Sequence, residues 1–400
     1  MKKRLFSLLL LLLLLCGCAA PPDNSADVPE DPADSSIPSA EPAPDDPASD
    51  PSPSPEEPEE PVLTEKEAAV AALLAGMTLE EKVGQMFFVR CPEFDAVSDI
   101  SAYHLGGYLL FGRDFQDRSA SDIKDLLETF QAVSEIPLLI GVDEEGGSVV
   151  RISSNAALWP HKFSSPQRLY VNGGMEAVTA DTEEKCDMLH TYGVNVNFAP
   201  VADVSTDPND FMYSRTFGQD ADATAEYVRT VVEAMEAKGV GSVLKHFPGY
   251  GNNADTHTGI AVDERPYETF LTSDFLPFEA GIAAGADSVL VSHNIVTAMD
   301  AELPASLSPE VHRVLREELG FTGVVLTDDL AMDAVAAYAA DGSVAVMAVE
   351  AGNDMIVTTD YRTQIPLVIE AVENGRIDEA VIDAAVTRVL SWKYDLGLIG

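Results

Sequence analysis

The chain has 400 residues and a formal net charge of −43 at pH 7, with 67 acidic side chains against 24 Lys and Arg. A surface this negative excludes a protein that binds nucleic acid through its phosphates. The charge does not identify a particular ligand, and solubility outside the cell is enough to explain it. The 4 cysteines do not have the spacing of a disulfide framework or of a metal site. We expect Cys91 and Cys186 to be packed core residues.

Residues 1–18 have the pattern of a bacterial secretion signal. A short basic start precedes an apolar run that is too short for a membrane-spanning helix. The run ends in Leu15-Cys16-Gly17-Cys18, which resembles the lipobox, where a cysteine after a small residue is lipidated and becomes the new N-terminus. We therefore expect a lipid on Cys18 that anchors the protein outside the cytoplasm on the bacterial cell membrane. Cleavage with release of the protein is the alternative.

Residues 19–63 have the composition of a disordered linker. From residue 19 to 61 there are thirteen acidic residues, no Lys or Arg and no aromatic residue. Such a segment cannot bury enough apolar surface to fold, and its prolines favour an extended spacer. Residues 64–400 are then the folded part, which is long enough for one large domain or two small ones.

Eight short apolar runs rich in β-branched residues predict β-strands, at 86–90, 107–111, 138–143, 194–200, 241–247, 288–293, 323–328 and 355–358. Amphipathic segments predict helices at 64–75, 121–134, 176–191, 221–238, 274–284, 308–319, 342–351, 361–374 and 378–393. Thr78 with Glu81 predicts a capping box before another short helix, and Ser308-Pro309 predicts a helix start. The alternation favours an α/β fold of the (β/α)8 TIM-barrel type, with a doubly wound open sheet as the alternative.

Polar residues stand at the ends of several predicted strands. In a barrel, catalytic residues lie at the C-terminal ends of the strands or in the loops that follow them. Buried polar groups need partners, so this many of them are hard to explain as packing alone. The residues concerned are Asp143, Asn197, Lys245, His246, His293 and Asp328.

The segment KHFPGYGNNADTH, which spans residues 245–257, starts on a predicted strand and continues into a glycine-rich loop. Asp255 and His257 are two residues apart, so both side chains can lie on one side of an extended loop. The carboxylate can then orient the imidazole and stabilise its protonated form. A histidine held in this way can donate and recover a proton near neutral pH.

This segment resembles the signature of glycoside hydrolase family 3 β-N-acetylglucosaminidases, whose usual form is close to KHFPGHGxxxxDSH. The resemblance implies that His257 is the acid/base and Asp255 its partner, and that Lys245 and His246 bind sugar hydroxyls. Most other family members take a Glu from a second domain instead. Because the sequence ends soon after the last predicted helix, we expect no second domain to supply one.

Further motifs extend the resemblance over most of residues 70–395. GVDEEGG is similar to the family's substrate loop, NFAPVADV to the strand after it, SRTFG to an arginine-bearing element and VLTDDL to the nucleophile strand. The resemblance implies that Asp143, Arg151 and Arg215 bind the sugar and that Asp328 is the nucleophile. We expect Asp329 to point to the other face of the strand and to have no catalytic role.

The resemblance implies a retaining exo-β-N-acetylhexosaminidase that releases terminal N-acetylglucosamine, with peptidoglycan fragments as the expected source and a covalent glycosyl-enzyme intermediate. We expect a monomer without cofactor or metal, whose partners are a carbohydrate substrate and the membrane. Specificity for a β-glucoside or β-xyloside, and a non-catalytic wall-binding lipoprotein, are the alternatives. The sequence departs from the family pattern at Ser148, at Tyr250 and at Asn252-Asn253.

Overall fold

The computed structural model describes residues 63–251, 261–332, 335, 338 and 343–400. The predicted signal peptide with Cys18, and all of the predicted linker except its last residue, lie outside these ranges. None of the helices among the described residues is long and apolar enough to cross a membrane.

Ten strands are present among the described residues: Phe87–Arg90 (β1), Gly107–Leu110 (β2), Leu139–Val142 (β3), Val196–Asn197 (β4), Gly241–Phe247 (β5), Val262–Asp263 (β6), Ser288–Val291 (β7), Ile295–Val296 (β8), Val324–Thr327 (β9) and Ile356–Thr358 (β10). Eight of them are parallel and form the central sheet, in the order β10-β1-β2-β3-β4-β5-β7-β9, and β6 and β8 form a separate small pair. The amide of Thr327 in β9 donates to the carbonyl of Met355, beside β10, at 3.1 Å, so the two ends of the sheet meet. The fold is therefore the predicted (β/α)8 barrel, and the open doubly wound sheet is wrong.

Helices surround the barrel and alternate with its strands. Two helical stretches contain a π-helical turn, at Phe270–Asp274 and at Val314–Glu318, and a 3-10 turn spans Ala305–Leu307. The α-helices are Glu65–Gly76 (α1), Leu79–Gln85 (α2), Ala96–Tyr103 (α3), Gly112–Phe115 (α4), Ala120–Val133 (α5), Pro166–Tyr192 (α6), Ala221–Lys238 (α7), Tyr267–Thr269 (α8), Phe275–Ala283 (α9), Pro309–Arg313 (α10), Val344–Ala351 (α11), Tyr361–Glu373 (α12) and Glu379–Asp395 (α13).

The apolar core has two layers because successive side chains of a strand point to opposite faces. Phe87 and Val89 of β1 point outward into the layer between strands and helices, whereas Phe88 points into the barrel. There it meets the ring of Phe198, with the two centroids 5.2 Å apart in an edge-on arrangement. Cys91 and Cys186 are buried and unbridged in the outer layer, as expected for core residues.

The last helix closes the N-terminal end of the barrel. Trp392 and Val389 of α13 belong to the inner layer. A Cβ atom at Gly241, the first residue of β5, would lie 2.9 Å from the Trp392 ring, so only glycine allows this approach. Side chains thus fill the barrel at the N-terminal ends of its strands, and the barrel is open at their C-terminal ends.

The larger differences between the predicted and the observed bounds of strands and helices lie near prolines and glycines. β4 covers only two residues of the predicted 194–200, because proline has no N–H for the ladder. The segment beyond it still bonds to β5, through the carbonyls of Ala199 and Pro200. The helix predicted at 176–191 begins earlier, at Pro166, with a break at Gly173-Gly174. Helices α3, α4 and α8 and the short strands β6 and β8 were not predicted. Thr78 forms the predicted capping box, and Ser308 accepts from the Val311 amide at 3.3 Å.

Lys393 is a buried cation in this otherwise apolar region. Its side chain is fully buried, and its Nζ donates to Gln85 Oε1 at 2.6 Å. Because burial disfavours the ammonium form, the pKa of Lys393 is lowered from 10.5 to about 7. At and below that pH the folded protein must hold a charge away from water without a described carboxylate partner.

We expect Lys393→Met to stabilise the protein most at low pH. The unfolded chain keeps the lysine proton up to about 10.5 and the folded chain only up to about 7, so the wild type gains stability as pH rises between these values. Urea unfolding near pH 6 should therefore favour the variant by about 1–3 kcal/mol, and the difference should shrink towards pH 9. Lys124→Met, on the exposed face of α5, is the matched control. The same gain at both pH values would contradict this assignment.

Candidate active site

A cavity of about 520 Å³ opens at the C-terminal ends of the barrel strands. Its apolar lining includes Leu109, Phe198 and Leu290, which are the upper members of the inner core. The cavity thus has a packed floor and polar walls. The charged and polar residues that line it are Arg90, Asp143, Arg151, Arg215, Lys245, His246, Asp328, Asp329 and Thr359.

Six predicted site residues line this one cavity, although they come from four separate stretches of sequence. They are Asp143, Arg151, Arg215, Lys245, His246 and Asp328. The other two, Asp255 and His257, lie outside the described residues. The barrel brings the six together because the C-terminal ends of parallel strands meet at one rim. Their individual roles stay predictions.

Lys245 is the centre of a buried charge cluster. It lies in β5, its side chain is 2% exposed, and its Nζ is 2.8 Å from Asp143 Oδ1 and 2.6 Å from Glu145 Oε1. Asp143 also accepts from Arg151 Nη2 at 2.8 Å. Glu145 forms a bidentate ion pair with Arg215: its Oε1 accepts from Nη2 at 2.7 Å and its Oε2 accepts from Nε at 3.1 Å. The cluster therefore fixes three cations in the cavity wall.

These contacts keep both carboxyls ionised. Burial acts to raise the pKa of each group, but the positive charges of Lys245 and Arg151 outweigh it and hold the pKa of Asp143 below its ordinary value. Lys245 and Arg215 lower the pKa of Glu145 to about 2 in the same way. Neither group can then donate a proton near neutral pH, which fits a role in binding rather than in acid catalysis.

Sequence reasoning assigned no role to Glu145, although it stands in the GVDEEGG segment. Its side chain is 2% exposed and is ion-paired with two of the predicted sugar-binding residues. An electrostatic argument could have identified Glu145 from the sequence, because cations that share a buried site need anions nearby. The next residue back, Glu144, supports the loop, because its carboxylate accepts from the amides of Arg151 and Ile152, each at 2.9 Å.

Asp203 holds His246 and was also missed. Asp203 Oδ2 lies 2.7 Å from His246 Nδ1 and accepts from the His246 amide at 3.2 Å. If Nδ1 carries the proton, His246 Nε2 is left as an acceptor in the cavity, 3.5 Å from Arg215 Nη2. Asp203 Oδ1 accepts from the Tyr250 amide at 2.8 Å. One carboxylate therefore orients a site histidine and the start of the following loop.

Asp328 follows directly after β9. Its amide donates to the carbonyl of Val291 at 3.0 Å, and its Oδ1 accepts from the Asp329 amide at 2.8 Å. These bonds tie the Asp328 carboxylate to the rigid rim of the barrel. Such a fixed position suits a group that must attack one atom of a bound substrate.

Asp329 also lines the cavity, so the expectation that it faces away is wrong. The strand ends at Thr327, and the alternation of faces does not continue into the turn that follows. Asp329 is held by the Ala331 amide at 3.0 Å, and its carbonyl lies 3.1 Å from His293 Nε2. His293 is fully buried, with its Nδ1 2.7 Å from Ser306 Oγ, so it supports this turn from below.

The base of the loop that carries Asp255 and His257 is tightly built. Arg265 donates to Asp263 and Asp274, and its Nη2 reaches the carbonyl of Gly249 at 3.3 Å. Gly251 has a φ of 53°, and a Cβ atom there would lie 2.4 Å from the Arg265 Cζ. Glycine is therefore favoured here, because an added methyl group would have to displace the Arg265 guanidinium and because a positive φ is strained for most other residues.

Tyr250 stands where the family pattern usually has a histidine. Its ring is 2% exposed and packs edge-on against the ring of His246, with centroids 5.2 Å apart. The substitution therefore replaces a polar side chain with a buried aromatic contact to a predicted sugar-binding residue.

We expect Gly251→Ala to lower kcat by about tenfold or more, because the new methyl group must displace Arg265 and shift the residues that follow. Steady-state hydrolysis of a nitrophenyl glycoside measures this. Gly239→Ala is the matched control, since Gly239 has a similar φ of 69° but nothing within 4 Å of the added Cβ. Both glycines have a positive φ, so an alanine is strained at either position. Equal loss in the two would show that strain, and not the contact with Arg265, is responsible.

One group of potential metal ligands is present among the described residues, and it lies elsewhere. Glu81, His104 and Glu135 have ligand atoms within 4.8 Å of one another. They precede β1, β2 and β3 and so lie at the N-terminal end of the barrel, opposite the cavity. The group takes no part in the site at the other end.

Comparisons with known proteins agree with this geometry. The sequence model of the Glycosyl hydrolase family 3 N terminal domain matches residues 78–392. A Beta-hexosaminidase of Xanthomonas campestris pv. campestris (strain B100) is 35% identical over 241 residues, which are 60% of this chain and 71% of that protein.

Two solved structures are similar over most of the chain. A glycoside hydrolase family 3 beta-N-acetylglucosaminidase from Paenibacillus sp. str. FPU-7 superimposes with a TM-score of 0.75 at 31% identity, over 81% of this chain and 63% of that one. The Beta-N-acetylhexosaminidase from Beutenbergia cavernae DSM 12333 gives 0.72 at 29% identity, over 80% of this chain and 99% of that one.

Proposed function

This chain belongs to glycoside hydrolase family 3, and from that premise we propose that it is a β-N-acetylhexosaminidase that releases terminal non-reducing N-acetylglucosamine with retention of configuration. The observation that carries the proposal is the position of Asp328. Its carboxylate shares one cavity with the Lys245 charge cluster, at the rim where barrel enzymes act. The names of the relatives support the choice of sugar.

The charge cluster has the chemistry to hold one sugar ring. Asp143 offers a carboxylate acceptor for hydroxyls, while Lys245, Arg151 and Arg215 offer donors. Their mutual ion pairs fix these groups before the substrate arrives, so little rotamer freedom is lost on binding. The nucleophile follows another strand at the same rim, so a sugar held on this wall can present its anomeric carbon to it.

The proposed reaction has two steps on this frame. In the first, Asp328 attacks the anomeric carbon, the glycosidic bond breaks and the leaving oxygen takes a proton from His257. A glycosyl ester of Asp328 results. In the second, His257 takes a proton from water, which attacks the same carbon and frees the sugar with its original configuration. Asp255 stabilises the imidazolium form of His257, which is present before the first step and is restored by the second.

A 5-fluoro analogue of N-acetylglucosaminyl fluoride tests the nucleophile. The fluorine at C5 slows both steps, but the activated fluoride leaving group keeps the first step fast. We therefore expect the ester to accumulate and peptide mapping to place the label on Asp328. Asp328→Ala should lower kcat by at least about 10³-fold, because no covalent step remains. Asp329→Ala, which removes the adjacent carboxylate, should retain far more activity and should still be labelled.

A label on another residue, or a fully active Asp328→Ala protein, would overturn the mechanism. Hydrolysis of nitrophenyl β-glucoside or β-xyloside much faster than the N-acetylglucosaminide would overturn the choice of sugar. A wild-type protein inactive on all three substrates would favour the non-catalytic wall-binding lipoprotein.

We further propose that the enzyme acts outside the cytoplasm on peptidoglycan fragments, anchored to the cell membrane through a lipid on Cys18. The lipobox-like sequence and the acidic, proline-rich composition of residues 19–63 support this. The linker composition is that of a spacer between a membrane anchor and a catalytic domain. A monomer without cofactor completes the proposal.

We expect Cys18→Ala to move the enzyme from the membrane fraction to the soluble fraction of bacterial cells, because the acyl chains are lost. Activity measured in both fractions is the readout. Cys16→Ala is the matched control, since Cys16 is expected to leave with the signal peptide. If the wild type is already soluble, or if both variants behave alike, Cys18 is not the anchor.

A further inference from the structure

Asp329 is a second carboxylate beside the nucleophile, and the proposed reaction gives it no step. It follows Asp328 directly and lines the same cavity. Its amide donates to Asp328 Oδ1 at 2.8 Å. The ladder of β9 ends at Thr327, so the direction of this amide depends on the turn that follows the strand. The orientation of the Asp328 carboxylate therefore depends on the same turn.

The side chain of Asp329 holds this turn through both carboxylate oxygens. Its Oδ1 accepts from the amide of Ala331, two residues further on, at 3.0 Å. Asp and Asn side chains commonly stabilise turns by this local hydrogen bond. Its Oδ2 accepts from Thr359 Oγ1 at 3.4 Å, and Thr359 follows β10 directly. The first bond shapes the turn, and the second, longer bond joins it to the neighbouring strand of the barrel.

The residues on either side of Asp329 are fixed by their backbone. The amide of Asp328 donates to the carbonyl of Val291 at 3.0 Å, and the amide of Leu330 donates to the carbonyl of Val357 at 2.9 Å. Because both neighbours are held by the barrel, loss of the Asp329 side chain should not unfold the turn. It should instead allow the peptide between Asp328 and Asp329 to rotate.

Electrostatics alone do not account for a carboxylate at this position. Burial raises the pKa of Asp329, and the negative charge of Asp328 acts in the same direction. The hydrogen bond from the Ala331 amide and the positive charge of Arg90 act against these effects. The carboxylate is therefore kept beside the nucleophile at an electrostatic cost, which its hydrogen bonds within the turn offset.

We propose that Asp329 is a positioning residue that orients the Asp328 carboxylate for attack. The inference rests on the proposed function, in which Asp328 is the nucleophile. The Asp329 side chain fixes the turn, the turn directs the Asp329 amide, and this amide holds Asp328 Oδ1. A nucleophile that can rotate reaches the geometry of attack less often. The attack then becomes slower, while binding of the sugar to the opposite wall is unchanged.

The rate at which the 5-fluoro glycosyl fluoride labels the enzyme measures the attack directly. We expect Asp329→Ala to lower the maximal rate of labelling by about tenfold and to change the half-saturating concentration by less than about twofold. Asp329→Asn should recover most of the lost rate. Its amide oxygen can accept from the Ala331 amide, and its amide nitrogen can donate to Thr359 Oγ1.

Asp378→Ala is the matched control. Asp378 Oδ1 accepts from the Ala380 amide at 3.0 Å, which is the same hydrogen bond at the same spacing, but it lies at the start of α13 and outside the cavity. This variant should be labelled as fast as the wild type. The unchanged half-saturating concentration of Asp329→Ala reports that its sugar-binding wall has folded.

The remaining outcomes would overturn the proposal. An Asn variant as slow as the Ala variant would show that the charge of Asp329 acts directly. An Ala variant as fast as the wild type would show that the turn needs no side chain at this position. A change in the half-saturating concentration alone would assign Asp329 to sugar binding. A wild-type protein that is not labelled on Asp328 would instead refute the proposed function.

Discussion

The site depends on one buried ammonium group, that of Lys245. Leaving such a charge without a partner inside a protein would cost several kcal/mol, so its two carboxylates are needed as much for folding as for binding. Asp143 and Glu145 both come from the loop after β3, whereas Lys245 comes from β5. The ion pairs therefore clamp two non-adjacent strands at the rim of the barrel. Removing one partner should disturb the geometry of the whole wall rather than a single contact.

The same network extends outward from the clamp to the loop that carries the predicted acid/base. Glu145 reaches Arg215, Arg215 approaches His246, and His246 is held by Asp203. Asp203 then binds the Tyr250 amide at the entrance to the loop. The substrate-binding residue His246 and the base of the loop thus share one hydrogen-bond partner, Asp203. A change in one is expected to alter the other, and substitutions along this line should show non-additive effects.

The sequence predicted the barrel well because its signals were local. Each strand is a short apolar run, and runs such as 241–247 agree with the structure residue for residue. The polar residues that end these runs could be placed on one rim by topology alone. Glu145 and Asp203 were missed because their roles depend on partners far away in sequence. Glu145 pairs with Arg215, seventy positions on, and no spacing rule connects them.

Asp329 shows a second limit of sequence reasoning. The alternation of faces is reliable only while a chain remains in the ladder, and β9 ends one residue before Asp328. Beyond that point the backbone turns, and hydrogen bonds from Ala331 and His293 decide where the side chains point. The resemblance to a family selected Asp328 correctly as a cavity residue, but the local pattern could not orient its neighbour.

The filled floor of the barrel has a consequence for the second half of the proposed reaction. With Trp392 and the inner core closing the other end, everything that enters or leaves the cavity must use one opening. The departing sugar has to clear this opening before water can reach the glycosyl ester of Asp328. Under the proposed mechanism, a second glycan that enters by the same opening in place of water would accept the glycosyl group from this ester. When acceptor glycans are abundant, the same frame that shortens a chain would then extend one by transglycosylation.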